Sequence, residues 1–332
     1  MKKTYMLLFL VFILVCAFIV PNTVFAKQKV IGVTAIWMGN DWNIYCSGEV
    51  KKALEAKGYK VIHSNAEGQT RKQVMDTENF MQRGVDGIII AGGEGPAFIE
   101  VSKKIKAAGI PLVAVDMVLP GAISGVYADN YSGGTQMGIF LSTKMKGEGK
   151  VIVLDTPGWH SLLIRARMAQ ATFAEFPGIE VLNTFEVGVA DPVGEAYNIV
   201  KSTIRKHPDL KGIITTWDMP TVGAIKAVKE MGKTEQIFIS SADPGKPLLA
   251  EMAKPDAPVM MCMGQNARVL GQLAAEFMDR ALTQGVDSVP LSVFGPTYFI
   301  SNGDPETDFS KLTPMTPAEC WDIYHYDTKR PF

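Results

Sequence analysis

The text KVIGV at residues 29–33 returns as KVIVL at residues 150–154, 121 positions later. Each opens a series in which short runs of valine and isoleucine alternate with stretches whose apolar residues recur at helical spacing. A strand that is apolar throughout has both faces covered, and a helix between strands supplies the crossover that parallel pairing needs. The first series predicts strands over 30–36, 60–63, 87–91, 111–115 and 125–128, with helices over 43–57, 70–82 and 96–108. The second predicts strands over 150–154, 179–185, 212–216, 237–240 and 258–263, with helices over 162–175, 194–205, 221–231, 246–253 and 267–283. Gly58, Gly84 and Gly109 stand just past helices, where a left-handed residue closes the last turn. One closed barrel would want eight even units, so two similar series fit two open sheets better. Ligands of such sheets bind outside the carboxyl ends of the strands. The residues that follow the strands therefore carry the functional information.

The ends of the chain read differently. Residues 1–26 have the form of a cleaved secretory signal: Lys2 and Lys3, an apolar run over 6–20, Pro21, and a small-residue exit at Ala26. The run is shorter than the roughly 20 residues needed to cross a bilayer. Cys16 raises the alternative of a lipid anchor, but Val15 is bulkier than the residue lipoprotein processing wants before the cysteine, so lipidation is the lesser reading. The chain has 33 basic and 34 acidic residues; without the leader's two lysines the balance is 31 − 34 = −3. No basic face of the kind that tracks nucleic acid follows from such a balance. Cys46, Cys262 and Cys320 remain, too few for a disulfide framework, and they read as small buried hydrophobes, with one bridge among them left open.

After the first strand come Trp37, Asn40, Asp41, Trp42 and Asn43; after the third, Glu94 and Gly95; after the fourth, Asp116 and Met117. In the second series Trp159 and His160 follow the opening strand, with Arg165 and Arg167 on the next helix. Trp217 and Asp218, then Asp243, then Gln265 and Asn266 follow later strands. The set supplies carboxylates that accept, amides that do both, arginines that donate and indoles with flat apolar faces. A polyhydroxylated ring asks for that combination, because its hydroxyls both donate and accept while its faces present C–H bonds. A single strand-end aspartate is more often a helix cap, and a single loop tryptophan is more often packing. The argument rests on the set recurring at one edge.

Signatures of catalysis are missing. There is no G-x-S-x-G elbow and no phosphate-binding G-x-x-x-x-G-K-[ST]. His63, His160, His207 and His325 are scattered without metal-ligand spacing, and GGEGPAF at 92–98 lacks dinucleotide spacing. No enzyme, metal or cofactor is expected.

In their order, several motifs resemble ribose-type periplasmic sugar-binding proteins, the type I fold shared with the ligand-sensing halves of lactose-repressor-like regulators. The likeness runs to about residue 290 and rests on KVIGV…NDW…GEVKKALEAKGYKV, FMQRGVDGIIIAG, AAGIPLVAVD, YADNYSGGTQMGIFL and HPDLKGIITTWDMPTVGAIKAVKEMG. It implies an α/β fold of two doubly wound parallel-sheet lobes joined by three hinge crossovers, near 129–130, 264–265 and 289–290. Residues 27–130 and 265–290 would form the N-terminal lobe. Residues 131–264, with an extended tail over 291–332, would form the other.

The resemblance also implies roles. Asn40 falls on an amide position and Trp42 on a stacking aromatic. Asp116 and Asp243 fall on one strand-end aspartate per lobe, Gln265 on the crossover glutamine, and Arg167 on the helix arginine, with Arg165 as its alternative. Trp217 joins this set as a second aromatic face. Trp37, Asp41, Met117, Trp159, His160 and Asp218 are further candidates. Met117 stands where the family has arginine, and Trp217 where it has asparagine. Both trade a hydrogen-bonding group for apolar surface, which implies a deoxysugar, polyol, glycoside or nucleoside rather than plain ribose. The expected protein is an extracytoplasmic monomer that delivers its solute to an ABC permease and binds no nucleic acid. The alternative is a sensor that presents its closed form to a kinase or chemoreceptor. A DNA-binding regulator is disfavoured, since a signal segment stands where a helix-turn-helix would be.

Overall fold

A computed structural model describes residues 27–156 and 158–301. The signal segment and the tail beyond residue 301 lie outside the described residues. The first half runs β1 (Val30–Ala35), α1 (Asp41–Ala56), β2 (Lys60–Asn65), α2 (Thr70–Gln82), β3 (Gly87–Ala91), α3 (Ile99–Ala107), β4 (Leu112–Val115) and β5 (Ser124–Ala128). Next come α4 (Asn130–Lys144), β6 (Glu148–Asp155), α5 (His160–Phe173), β7 (Gly178–Glu186), α6 (Pro192–Lys206) and β8 (Leu210–Thr215). The remainder is α7 (Asp218–Glu230), β9 (Phe238–Ala242), α8 (Lys246–Met252), β10 (Val259–Gln265), α9 (Ala267–Gln284), β11 (Ser292–Gly295) and β12 (Thr297–Ser301).

The strands form two six-stranded sheets, ordered β11-β5-β4-β3-β1-β2 and β12-β10-β9-β8-β6-β7. Pairing is parallel except for β12, which runs antiparallel to β10. This is the two-lobed α/β architecture that the sequence leads one to expect. β3, GIIIA, is buried at every residue because helices cover both faces. Ile31, Val33 and Ile89 pack with Leu270 and Met278 of α9 on one face, while Ile88 and Ile90 meet Phe80 and Ile105 on the other. The second sheet repeats the plan, with Ile152 and Ile213 packed on one face and Val151, Val153 and Ile214 on the other. Gly58, Gly84 and Gly109 close their helices at φ of 89°, 65° and 69°.

The chain passes between the lobes at 128–130, 265–267 and 295–297. The third crossing corrects the expectation of 289–290. β11 pairs with β5 in register Ser292↔Gly125 to Gly295↔Ala128, so it belongs to the N-terminal lobe. The chain changes lobe only at Pro296, before β12 joins β10.

Helix α4 carries the sequence GGTQMG for a packing reason. A Cβ at Gly134 would lie 2.6 Å from the Arg165 carbonyl oxygen, and one at Gly138 would lie 2.8 Å from Thr172 Cβ. The glycines let α4 and α5 touch backbone to backbone, and that contact fixes where the Arg165 side chain begins.

Candidate functional site

A cleft enclosing about 380 Å³ of empty space, part of it open to solvent, lies between the carboxyl ends of the two sheets. From the N-terminal lobe Asn40, Trp42, Asn43 and Asp116 line it, together with Gly92 and Gly93. From the other lobe come Trp159, Ser161, Leu162, Trp217, Asp243 and Gln265.

The two aspartates occupy matching places. Asp116 follows β4 and Asp243 follows β9, strands that sit third in their sheets. Both take left-handed backbone conformations, φ 56° and 61°. Each donates its N–H to the neighbouring strand, Asp116 to Val126 O at 2.8 Å and Asp243 to Met263 O at 2.9 Å. A left-handed non-glycine residue is strained, though aspartate bears it better than most, and such strain gathers where a side chain must be aimed.

A line of hydrogen bonds joins the aspartates. Asp116 Oδ1 accepts from Ala128 N at 3.2 Å and Asn130 Nδ2 at 2.8 Å. Asn130 Oδ1 accepts from Arg165 Nε at 2.8 Å. Arg165 Nη1 donates to Thr216 O at 2.8 Å and to Asp243 Oδ2 at 2.6 Å. Asp243 Oδ1 accepts from Gln265 Nε2 at 2.7 Å. Arg165 Nη2 is buried with no partner among the described residues.

Charge balance follows from this line. Burial pushes the Asp116 carboxyl above its ordinary range, and the Arg165 charge and the Asn130 amide work against that push. Burial opposes the Arg165 charge, but Asp243 in contact and Asp116 nearby more than offset it, so its pKa stands above the ordinary value. Asp218, buried at the start of α7, is pushed up to about 8, first by desolvation and then by the charge of Asp243. Asn40 lies close enough to ease its ionisation.

The structure brings together Asn40, Trp42, Asp116, Trp159, Trp217, Asp243 and Gln265 from the expected set. Arg167 is not among them: its side chain is exposed, and Arg165, 0% exposed, holds the inner position. Two residues along a helix is a turn of about 200°, so only one of the pair can face inward. Met117 is also corrected. It packs with Phe80, Ile88, Phe98 and Leu112 in the core of its lobe, because the left-handed Asp116 turns the next residue inward. Trp37 touches Trp159 and Trp217 but does not line the cleft. Asp41 accepts from Lys246 N at 2.7 Å, a bond between lobes. His160 donates its backbone N–H to Gly93 O at 3.3 Å, also across the lobes, and its side chain borders a separate hollow with Tyr127, Ile164 and Phe294.

Ser161 and Asn130 stand outside the set read from the sequence, and Asn43 stood in it without a role. Asn43 Nδ2 donates to Asn40 Oδ1 at 2.7 Å, so it orients the amide that was expected. Its spacing from Asn40, one helical turn, was the available signal. The glycine-rich GGEG serves backbone geometry: Gly92 and Gly93 have φ of 65° and 128° on the cleft wall. Among the described residues no group of His, Cys, Asp or Glu is arranged to hold a metal ion, and no helix is long and apolar enough to cross a membrane.

A model described as the periplasmic binding protein domain matches residues 31–285. The ribose import binding protein of Bacillus subtilis (strain 168) is 25% identical over 280 residues, covering 80% of this chain and 87% of that protein. A solved ABC sugar transporter subunit from Rhodobacter sphaeroides 2.4.1 superposes with a TM-score of 0.78 at 25% identity, covering 83% of this chain and 99% of that one. A solute-binding protein from Agrobacterium vitis with bound allitol has a TM-score of 0.77 at 21% identity, over 86% and 99% of the two chains.

Proposed function

Since this chain belongs to the periplasmic binding protein family, we propose that it captures a neutral sugar or polyol between its lobes and delivers it to an ABC importer. The observation that carries this reading is the continuous line Asp116–Asn130–Arg165–Asp243–Gln265, set among the indoles of Trp42, Trp159 and Trp217. Its oxygens and amides match hydroxyls, and its indoles match the C–H face of a ring. Asp116 and Asp243 accept from hydroxyls, Asn40, Asn43 and Gln265 accept or donate, and Arg165, which does not line the cleft, holds Asp243 and Asn130 from behind. Two carboxylates against one guanidinium disfavour an anionic ligand such as a sugar phosphate.

Ligand contacts on both lobes stabilise the closed shape, and the closed shape is what a permease reads. In this reading no bond is made or broken, and Asp116 and Asp243 serve as hydrogen-bond acceptors. The protein works outside the cytoplasmic membrane as a monomer, with residues 1–26 removed as a signal. The relatives described above are named for import and transport, which favours delivery over sensing.

A thermal-shift and calorimetry screen of the mature chain tests this. D-ribose, D-allose, xylitol, allitol and myo-inositol are the probes, and ribose 5-phosphate is the anionic control. At least one neutral probe should raise the melting temperature, because ligand bound only to the folded state adds stability. A response to the phosphate alone, or to none of the neutral probes, would overturn the reading.

A further inference from the structure

Closure has an apolar component that starts in the cleft wall and extends beyond it. Ile36 and Ala66 of the N-terminal lobe form one buried cluster with Trp159, Leu162 and Trp217 of the other, and Trp37 and Val189 pack against it. Trp37, partly buried, caps it. Its ring stands edge-on to Trp217 at 5.8 Å and 87°, and 6.4 Å from Trp159 at 55°. Trp159 and Trp217 are themselves 6.3 Å apart.

The loop is shaped to hold that indole. A Cβ at Gly39 would fall 1.9 Å from a Trp37 ring carbon, so the ring packs where a larger residue at 39 would stand. Beside it, a Cβ at Gly68 would fall 2.6 Å from Val189 of the opposite lobe. The two lobes thus meet at a seam where small residues admit large ones. Trp37 does not line the cleft, whereas the two indoles it touches do.

We infer that Trp37 is a positioning residue for closure: it braces Trp159 and Trp217 from across the cleft and holds a fraction of the protein closed before any ligand arrives. Opening the lobes would part the Trp37 ring from Trp159 and Trp217, which stay in contact with each other within their own lobe, and expose an apolar cluster to water. Part of the closing free energy is therefore independent of ligand. The effect on affinity rests on the binding function proposed above; the effect on shape does not.

Small-angle X-ray scattering of the unliganded mature chain decides it, with wild type, Trp37→Ala, Trp37→Phe and Gly39→Ala compared. Far-UV dichroism melts confirm that each variant is folded. Trp37→Ala should have a larger radius of gyration than wild type, and its tryptophans should be more open to acrylamide quenching. Trp37→Phe should restore part of the difference, and Gly39→Ala should mimic part of the loss by displacing the ring. For whichever of the neutral probes binds wild type, Trp37→Ala should raise the dissociation rate by roughly ten- to hundredfold, with little change in association rate. Identical scattering and quenching for wild type and Trp37→Ala overturn the inference. If no probe binds wild type, the transport reading falls, yet scattering still decides the role of Trp37.

Discussion

Replacing Arg165 by methionine keeps most of the side chain's bulk and removes its charge and donors. Three hydrogen bonds disappear, to Asn130, Thr216 and Asp243. The Asp243 carboxylate, 5% exposed, then faces a thioether in place of a guanidinium at 2.6 Å. Breaking a buried ion pair from one side costs about 3–5 kcal/mol, because the remaining charge stays desolvated. Retained volume keeps the added cavity cost small, about 1 kcal/mol or less. The same change at Arg167, whose side chain is exposed, should stay within about 0.5 kcal/mol of wild type. Urea unfolding of both variants measures the difference, and calorimetry with a ligand that binds wild type measures its effect on the cleft. Arg165→Met should lose binding as well as stability, since Asp243 and Asn130 lose their orientation together. Equal losses in the two variants, or a harmless Arg165→Met, would refute the placement of the inner arginine and with it the line of bonds between the lobes.

Asp116→Gly relieves a left-handed backbone but leaves Ala128 N and the Asn130 amide without their acceptor, so stability should fall by about 1–3 kcal/mol while ligand binding is lost; a folded variant that still binds in calorimetry argues against Asp116 as a ligand contact. Gly134→Ala forces a methyl against the Arg165 backbone and should cost about 1–3 kcal/mol in urea unfolding while weakening binding; a neutral outcome would mean that α4 and α5 separate freely. Asp218 has a pKa of about 8 in the folded protein against an ordinary 3.8. The folded state therefore holds a proton that the unfolded state has released, and this contribution to stability falls as pH rises from about 4 to about 8, then stays flat. Asp218→Asn should accordingly stabilise the protein more at pH 8 than at pH 5, and equal effects at both would contradict the shift.

The alternation of buried strands and amphipathic helices was legible because full burial leaves an unbroken apolar text, as in GIIIA at β3. The strand-end aspartates and indoles were legible because the sheet topology says where ligands bind. Three points were not. The inner arginine depends on where α5 begins. The expected start at 162 lies two residues beyond His160, and in the absence of a side-chain cap on α5 the sequence carried no sharper mark. Met117 depends on the backbone conformation of Asp116, which no hydrophobic pattern records. The third crossover depends on β11 finding β5 rather than the nearer tail, a long-range pairing marked locally only by Gly295 and Pro296.

The three crossings have a consequence for how the molecule comes into being. The N-terminal lobe lacks one of the two helices that cover one face of its sheet until Gln284, and it lacks its edge strand until Gly295. Its sheet therefore cannot be completed before Gly295 has been made, however early its first strands appear. The other lobe shares the delay, because β12 follows β11. Each sheet gains its edge strand from one short stretch, β11 and then β12, so neither lobe has all its described strands without the other nearly having its own. Folding of either lobe is therefore tied to the other through the stretch of chain from Ser292 to Ser301, and a chain that ended before it would leave both sheets one strand short.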